Sequence, residues 1–218
     1  MTDMIYRDRT EVGLALAHRL ALYRNSGCLV LGLPNGGIPV GVEIAKGIGA
    51  DFSLLFVSKI TPRFNSEVGY GAVSETGVVR LDSEMAKRWG LRPDEIEEDI
   101  RIAKRKIEAR KKSFMIAQGR PDLSRRTVIL TDDGLAGGYT MMTAVEAVKS
   151  LNASAIVVAV PTAPRDTYSR ISLLVDAIVC PDVRDGFPFA VADAYERWHD
   201  VSLEEAITIL QKEGYMKR

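Results

Sequence analysis

The sequence predicts an α/β fold in which helices flank a parallel sheet. Two parts of the chain predict it, because each has a short apolar run, a glycine-rich turn and then apolar residues at helical spacing. The first part covers residues 28–47 and the second covers residues 127–148. With 218 residues, of which 46% are apolar, the chain is long enough for one such domain with additions.

The charge and residue content of the chain exclude several classes of protein. Its 29 basic and 29 acidic residues balance, so nothing favours a nucleic acid or a membrane surface as partner. No apolar run is long enough for a transmembrane helix, and the polar start MTDMIYRDRT is unlike a signal or transit peptide. Cys28 and Cys180 are expected to pack in the core in a reducing cytosol, which predicts a cytoplasmic location. His18 and His199 lie far apart, without the pattern of a zinc site or a serine–histidine triad.

Helices and strands alternate in the first part of the chain. Apolar side chains recur at helical spacing through residues 8–25 and predict a helix with one buried face. Residues 28–33 form a continuous apolar run, which is typical of a central parallel strand. Pro39 suits the first turn of the helix that follows. The next strand, at 52–57, leads into Lys59, which is therefore expected at the carboxyl end of a parallel strand, beside a ligand crevice.

The middle of the chain predicts a hairpin and then a helical insertion. Two short runs, 70–73 and 78–81, have the pattern of paired extended segments. Residues 83–117 are predicted to be helical, with a break at Gly90 and the main helix opening at Pro93. Acids crowd the first turns of that helix and bases its last turns, an order that suits the helix dipole and a solvated face.

The last part of the chain adds two strands and a helix to the prediction. Apolar runs at 155–160 and 175–180 predict the strands. Ser202 and Glu205 form the pattern of a capping box, which predicts a final helix ending near Gly214.

The residues after the strand at 127–130 carry a chemical signature. Asp132 and Asp133 come first, and a glycine turn containing Gly134, Gly137 and Gly138 follows at the start of a helix. Backbone N–H groups of such a turn bind anions, whereas carboxylates beside it suit the hydroxyls of a polyol or a hydrated Mg²⁺. A sugar phosphate fits both halves. The simpler interpretation is a helix capped by an aspartate, with glycines serving only the turn.

This stretch resembles the ribose-phosphate-binding signature of the type I phosphoribosyltransferases. The resemblance implies that Asp132 and Asp133 hold the ribose 2′- and 3′-hydroxyls and are the candidate protein ligands for a Mg²⁺ ion brought by the substrate. It implies that the 5′-phosphate is held by Gly134, Ala136, Gly137, Gly138, Tyr139 and Thr140.

The resemblance extends to other parts of the chain. The LPNGG turn stands where these enzymes bind pyrophosphate, which assigns pyrophosphate to Asn35, Gly36 and Gly37, joined by Lys59. An ordinary loop and a surface lysine are the alternatives. Residues 61–77 would be the mobile loop over the substrate, with Arg63 and Glu67 as its candidate functional residues.

The resemblance also implies a domain organisation. Residues 1–218 would form a single domain, with the helical insertion at about 83–117 and a C-terminal hood and helix at about 182–218. Aromatic side chains in the hood would stack on a heterocycle or simply pack the hood. They are Phe187, Phe189, Tyr195 and Trp198.

The function implied is a Mg²⁺-dependent transfer from phosphoribosyl pyrophosphate to a nitrogen acceptor, a nucleobase or related heterocycle, with release of pyrophosphate. Two residues depart from the family pattern. Ala136 stands where enzymes for 6-oxopurines carry an acid, and Gly137 stands where a threonine is usual. A regulator that binds phosphoribosyl pyrophosphate or a nucleotide without turnover is therefore the alternative. The oligomeric state is left open, with a homodimer as one expectation.

Overall fold

The structure, a computed structural model, describes residues 5–65, 68–114, 121–186 and 188–216. Its helices and strands, in chain order, are α1 (Arg9–Arg19), β1 (Leu29–Gly32), α2 (Gly37–Ile48), β2 (Asp51–Leu54), β3 (Val57–Ile60), β4 (Gly71–Ser74), β5 (Val79–Leu81), α3 (Ser83–Arg88), α4 (Pro93–Ser113), β6 (Thr127–Thr131), α5 (Tyr139–Ser150), β7 (Ala155–Ala159), β8 (Thr162–Pro164), α6 (Arg165–Ser172), β9 (Ala177–Val179), β10 (Asp182–Arg184) and α7 (Leu203–Lys212). The central sheet has five parallel strands in the order β2-β1-β6-β7-β9. The predicted α/β fold is confirmed.

Strand β1 shows why the sheet is covered on both faces. Successive side chains of a strand point to opposite faces, and all four residues of β1 are buried. Val30 belongs to a core cluster that contains apolar residues of α1 and α2. Leu29 and Leu31 belong to a second cluster that contains apolar residues of α5. A continuous apolar run is therefore the pattern that this position requires.

The pairing of β1 with β6 sets the position of the two glycine turns. Gly32 lies opposite Thr131 in the parallel register, so both strands end at the same edge of the sheet. The N–H of Leu33 still donates to the Thr131 carbonyl oxygen at 3.0 Å, one residue beyond the ladder. The LPNGG turn and the loop that begins at Asp132 consequently leave the sheet side by side.

A second, three-stranded antiparallel sheet of order β3-β4-β5 corrects one prediction. The apolar run at 52–57 is not one strand, because the chain leaves the central sheet after Leu54 and enters β3 at Val57. Lys59 therefore lies within an antiparallel strand and not at the end of a parallel one. Residues 52–57 are apolar except for Ser53, and the apolar residues of both halves are buried, so no change of pattern marks the turn. The hairpin prediction is confirmed by the antiparallel pairing of β4 with β5. Strand β4 is buried and lies within residues 61–77, whose mobility stays a prediction.

The segment predicted to be helical forms α3 and α4, and the two helices are separated at Gly90 as predicted. Helix α4 has 21 residues and buries Ala103 and Ile107 on its inner face. It also buries Asp99, which accepts a hydrogen bond from the Tyr70 hydroxyl at 3.0 Å. Within the described ranges, no helix combines the length and the apolar character needed to cross a membrane.

Backbone hydrogen bonds join the segment before α1 to the segment between β10 and α7. The N–H of Tyr6 donates to the Ala194 carbonyl oxygen at 2.8 Å, and the N–H of Glu196 donates to the Tyr6 carbonyl oxygen at 2.8 Å. The N–H of Arg197 donates to Arg7 in the same way at 3.0 Å. This pairing places the start of α1 beside the C-terminal segment. Ser202 caps α7 by accepting from the Glu205 N–H, as predicted.

Candidate active site at the carboxyl edge of the sheet

A cavity of about 520 Å³ lies at the edge where β6 ends. It brings together most of the residues predicted for the site: Lys59, Asp132, Asp133, Gly134, Ala136, Gly137, Gly138, Tyr139 and Thr140. The C-terminal segment contributes Val191, Trp198 and Asp200 to the lining. Carboxylates, a lysine, backbone amides and an indole ring therefore surround one space.

The two aspartates have different surroundings although they are adjacent in sequence. Asp132 is half-buried, and its Oδ1 accepts a hydrogen bond from the Asp133 N–H at 2.9 Å. Burial and the neighbouring Asp133 carboxylate hold the pKa of Asp132 well above its ordinary value of 3.8. Burial also raises the pKa of Asp133, while the charge of Arg9 opposes that rise. The site thus holds two acids, of which one has its own counter-ion.

Arg9, at the first position of α1, is that counter-ion. Its Nε and Nη2 donate to Asp133 Oδ2 at 2.9 and 2.8 Å, and its side chain is 6% exposed. The guanidinium carbon lies 4.2 Å from the centroid of the Trp198 ring and 5.5 Å from that of Tyr195. The Tyr195 hydroxyl donates to the Asp133 carbonyl oxygen at 2.6 Å. Sequence reasoning missed Arg9, because its partner is 124 residues away.

The LPNGG turn lies against the acid pair and is not part of the cavity lining described above. A Cβ atom built on Gly36 would lie 2.5 Å from Cγ and 2.9 Å from Oδ1 of Asp133. One built on Gly37 would lie 2.7 Å from the Thr131 carbonyl oxygen. These two glycines are therefore needed for close approach of the two loops, a role that the sequence pattern did not distinguish from anion binding.

The turn offers fewer free amides than its composition predicts. The Gly37 N–H donates to the Leu33 carbonyl oxygen at 2.9 Å and is engaged within the turn. Asn35 directs its side-chain amide away, since Nδ2 donates to the Val201 carbonyl oxygen at 2.9 Å. The Pro34–Asn35 peptide bond is cis. Any anion held by this turn would be bound by backbone N–H groups of Asn35 and Gly36.

The loop before α5 has the geometry of an anion site. The first helical hydrogen bond runs from the Met142 N–H to the Gly138 carbonyl oxygen, so the preceding amides of the first turn have no partner within the helix. Gly138 has φ 79, a left-handed conformation that favours glycine. Unpaired amides and the positive end of the helix dipole together attract a phosphate.

Helix α6 supports this loop from outside, which the sequence did not indicate. The Thr167 hydroxyl donates to the Ala136 carbonyl oxygen at 2.7 Å, and Arg170 Nη2 donates to the Gly137 carbonyl oxygen at 3.1 Å. With their carbonyls bound on the outer side, these peptide units are held in one orientation. The Tyr139 hydroxyl bonds the Asp82 carboxylate and so ties the start of α5 to α3.

The remaining predicted residues are placed as follows. Lys59 is exposed at the cavity, and its charge acts on Asp132. Arg63 is 62% exposed and lies apart from the cavity lining, with its Nε 3.9 Å from Oδ1 of the buried Asp99. Glu67 lies outside the described residues.

The chain has relatives among known proteins. Residues 3–196 match the family model described as the phosphoribosyl transferase domain. Two curated proteins of Mycobacterium tuberculosis strains, each named "Putative phosphoribosyl transferase", are 32% identical to it over 210 residues. The match covers 95% of this chain and 47% of each relative, so the chain spans about half the length of those relatives.

Two solved structures share the fold. TT1426 from Thermus thermophilus is 28% identical, with a TM-score of 0.80, and the match covers 98% of this chain and 100% of that one. The AQ2163 protein of Aquifex aeolicus has a TM-score of 0.52 at 12% identity, covering 83% of this chain and 76% of that one.

Proposed function

This chain belongs to the phosphoribosyl transferase domain family, and we propose that it transfers the phosphoribosyl group of phosphoribosyl pyrophosphate to a nitrogen of a heterocyclic acceptor. One observation carries the proposal: the acid pair and the open N-terminus of α5 line the same cavity. Carboxylates bind hydroxyls, and the N-terminus of a helix binds a phosphate. A ribose 5-phosphate unit carries hydroxyls and a phosphate.

The ribose and its phosphate have separate binding groups in this proposal. Asp132 and Asp133 accept hydrogen bonds from the 2′- and 3′-hydroxyls. The 5′-phosphate is bound by the amides of residues 136–140, with the Thr140 hydroxyl beside them. Lys59 is the cationic side chain for the pyrophosphate group, together with the backbone of the LPNGG turn.

The donor set fits a Mg²⁺ ion that arrives with the substrate. Mg²⁺ is usually held by one or two carboxylates plus substrate phosphates and water. Asp132 and Asp133 supply such carboxylates, whereas no cluster of three or more metal-binding side chains is found in the described ranges. Bound Mg²⁺ would neutralise charge on the departing pyrophosphate.

The reaction exchanges one bond at the anomeric carbon for another. The C1–oxygen bond to pyrophosphate breaks as the acceptor nitrogen bonds to C1, pyrophosphate leaves with the bonding electrons, and the acceptor nitrogen releases its proton to solvent. Positive charge spreads over C1 and the ring oxygen, so the nearby carboxylates stabilise the transition state. Lys59 and the backbone amides of the LPNGG turn stabilise the negative charge of the leaving pyrophosphate. The acceptor would lie beside Val191 and Trp198, with Ala136 offering no acid to a purine.

We also propose that residues 1–218 form one domain with an insertion at 83–117 and a hood at 182–218. A cytoplasmic location and a homodimer stay predictions from the sequence.

Calorimetry with phosphoribosyl pyrophosphate tests the proposal. Binding is expected with Mg²⁺ and is expected to be lost when EDTA removes the metal. A panel of nucleobases should then release pyrophosphate with at least one acceptor. Binding without release for every base would favour the regulator, and no binding at millimolar ligand with Mg²⁺ would refute both.

Gly137→Thr is expected to tighten ribose 5-phosphate about tenfold or more, since one charge-assisted hydrogen bond contributes about 1.5–3 kcal/mol. Gly137 is not among the residues with positive φ, and a Cβ built there meets only Tyr139 Cδ2, at 3.8 Å. A side chain at this position therefore starts without backbone strain or a clash at Cβ. Calorimetry of both proteins measures the change.

Gly138→Thr is the matched control for Gly137→Thr. Gly138 has a φ of 79, and its Cβ would lie 2.7 Å from Thr167 Cγ2, so the same side chain should weaken binding there. Equal affinity of Gly137→Thr and the parent would show that the backbone amides suffice.

A further inference from the structure

The pair formed by Arg9 and Asp133 is placed where it can control a substrate contact. Both arginine hydrogen bonds end on Oδ2 of Asp133, which leaves Oδ1 for a further partner. Gly36 also packs against this carboxylate, since a Cβ atom built on it would lie nearest to the same Oδ2 and 2.9 Å from Oδ1. Because Arg9 and the Gly36 backbone both contact the carboxylate at Oδ2, the side chain has little freedom to rotate.

Arg9 is placed at the site by two segments, the one before α1 and the one between β10 and α7. Backbone hydrogen bonds join the segments around Tyr6 and Tyr195, and these segments carry Arg9 and the two aromatic rings to the site. The guanidinium packs 4.2 Å above Trp198, and the ring of Trp198 also lines the cavity. A planar guanidinium can stack on an aromatic ring and donate from its edge simultaneously, which lysine cannot do.

We propose that Arg9 is a positioning residue for the ribose, acting through Asp133: it fixes the carboxylate so that Oδ1 meets a ribose hydroxyl. This rests on the function proposed above and adds a residue from the N-terminal segment to its site. The contribution is preorganisation, because a carboxylate already held in place loses no side-chain entropy when the ligand binds.

Ligand selectivity distinguishes positioning from a merely structural role. Arg9→Gln should weaken ribose 5-phosphate about tenfold, the lower end of what a charge-assisted hydrogen bond contributes. Affinity for inorganic pyrophosphate measured without Mg²⁺ should be unchanged, because that ligand brings neither a hydroxyl nor a metal ion to Asp133. Arg9→Lys should retain part of the affinity, because it keeps the charge and loses the fork.

A double-mutant cycle tests the route through Asp133. If Arg9 acts through that residue, Arg9→Gln combined with Asp133→Asn should lose no more ribose 5-phosphate affinity than Asp133→Asn alone. Arg126→Gln is the matched control, since Arg126 Nη2 pairs with Asp51 at 2.6 Å where β2 and β6 begin, at the opposite edge of the sheet. Arg126→Gln should leave the affinities for ribose 5-phosphate and for pyrophosphate unchanged.

The outcomes separate this inference from the proposed function. If the parent binds phosphoribosyl pyrophosphate but Arg9→Gln loses nothing, or loses ribose 5-phosphate and pyrophosphate alike, Arg9 is structural and the function stands. If the loss of ribose 5-phosphate affinity in the double variant equals the sum of the two single losses, Arg9 does not act through Asp133 and the inference is wrong. Should Arg9→Gln not fold, the same criteria apply to Arg9→Lys. A parent that binds neither phosphoribosyl pyrophosphate nor ribose 5-phosphate refutes both proposals.

Discussion

Asp133→Asn is expected to lower the stability of the protein by about 3 kcal/mol, whereas Asp132→Asn is expected to raise it. The first effect follows from Arg9, whose side chain is 6% exposed and whose charge would be left buried without a counter-ion. Removing one partner of a buried ion pair costs about 3–5 kcal/mol. The retained amide oxygen, and the burial that raises the pKa of Asp133 against the effect of Arg9, place this variant at the low end. Denaturant unfolding at neutral pH measures the loss.

Asp132→Asn should be stabilising because the parent side chain is a half-buried carboxylate beside another. The asparagine keeps the oxygen that accepts from the Asp133 N–H and removes the charge. Since the pKa of Asp132 is raised in the folded protein, its ionisation opposes folding. The gain should be absent below pH 3.8, where the carboxyl is protonated in both states, increase from there up to the raised pKa, and stay constant above it.

Both variants should nevertheless bind ribose 5-phosphate about tenfold to a hundredfold more weakly, because each loses a charged acceptor worth about 1.5–3 kcal/mol per hydrogen bond. Asp51→Asn is the control, since it removes an exposed partner of Arg126 far from the site and should leave affinity unchanged. Equal stability changes in Asp132→Asn and Asp133→Asn would show that the ion pair with Arg9 does not make Asp133 more important for stability than Asp132. Unchanged affinity in both variants would show that the two aspartates serve only the structure of the turn and do not bind ribose.

The sequence predicted those parts of the fold that leave a local pattern. Strands β1 and β6 are continuous apolar runs because both faces are covered, and the helix that starts at Tyr139 follows its glycine turn. The acid pair was found because two adjacent carboxylates after a buried strand are unusual chemistry. Strands β8 and β10, of three residues each, are too short to show a period.

Contacts between distant segments were not predictable in the same way. In the sequence, Arg9 is one charged residue of a helix among others. The backbone pairing between the segment before α1 and the segment before α7 brings it to Asp133. Thr167 and Arg170 support the loop before α5 through the carbonyl oxygens of that loop, a contact that requires no particular sequence in the loop. The glycines at 36 and 37 were recognised as a turn, whereas the reason for their small size is the loop on the neighbouring strand.

Gly36→Ala is expected to weaken binding of phosphoribosyl pyrophosphate about a hundredfold. The backbone at Gly36 has φ −59 and ψ −34, a helical conformation that alanine adopts readily, so the substitution brings no backbone strain. The added methyl group would instead lie 2.5 Å from Cγ of Asp133, where real Cβ contacts stay beyond 3.0 Å. The carboxylate must move, and a shift on the order of 1 Å in a positioning group costs about a hundredfold.

Gly47→Ala provides the steric control for Gly36→Ala. Its Cβ would lie 2.6 Å from Cβ of Ala17, where α1 and α2 cross, so it creates a similar clash away from the site. Both variants should lose stability, but only Gly36→Ala should lose affinity, because only there is the displaced group the carboxylate that we propose as the ribose ligand. The movement should also disturb the Arg9 pair, so adding Arg9→Gln to Gly36→Ala should cost little further affinity. Parent-like affinity in Gly36→Ala would show that Asp133 tolerates displacement and that its position does not determine ribose binding.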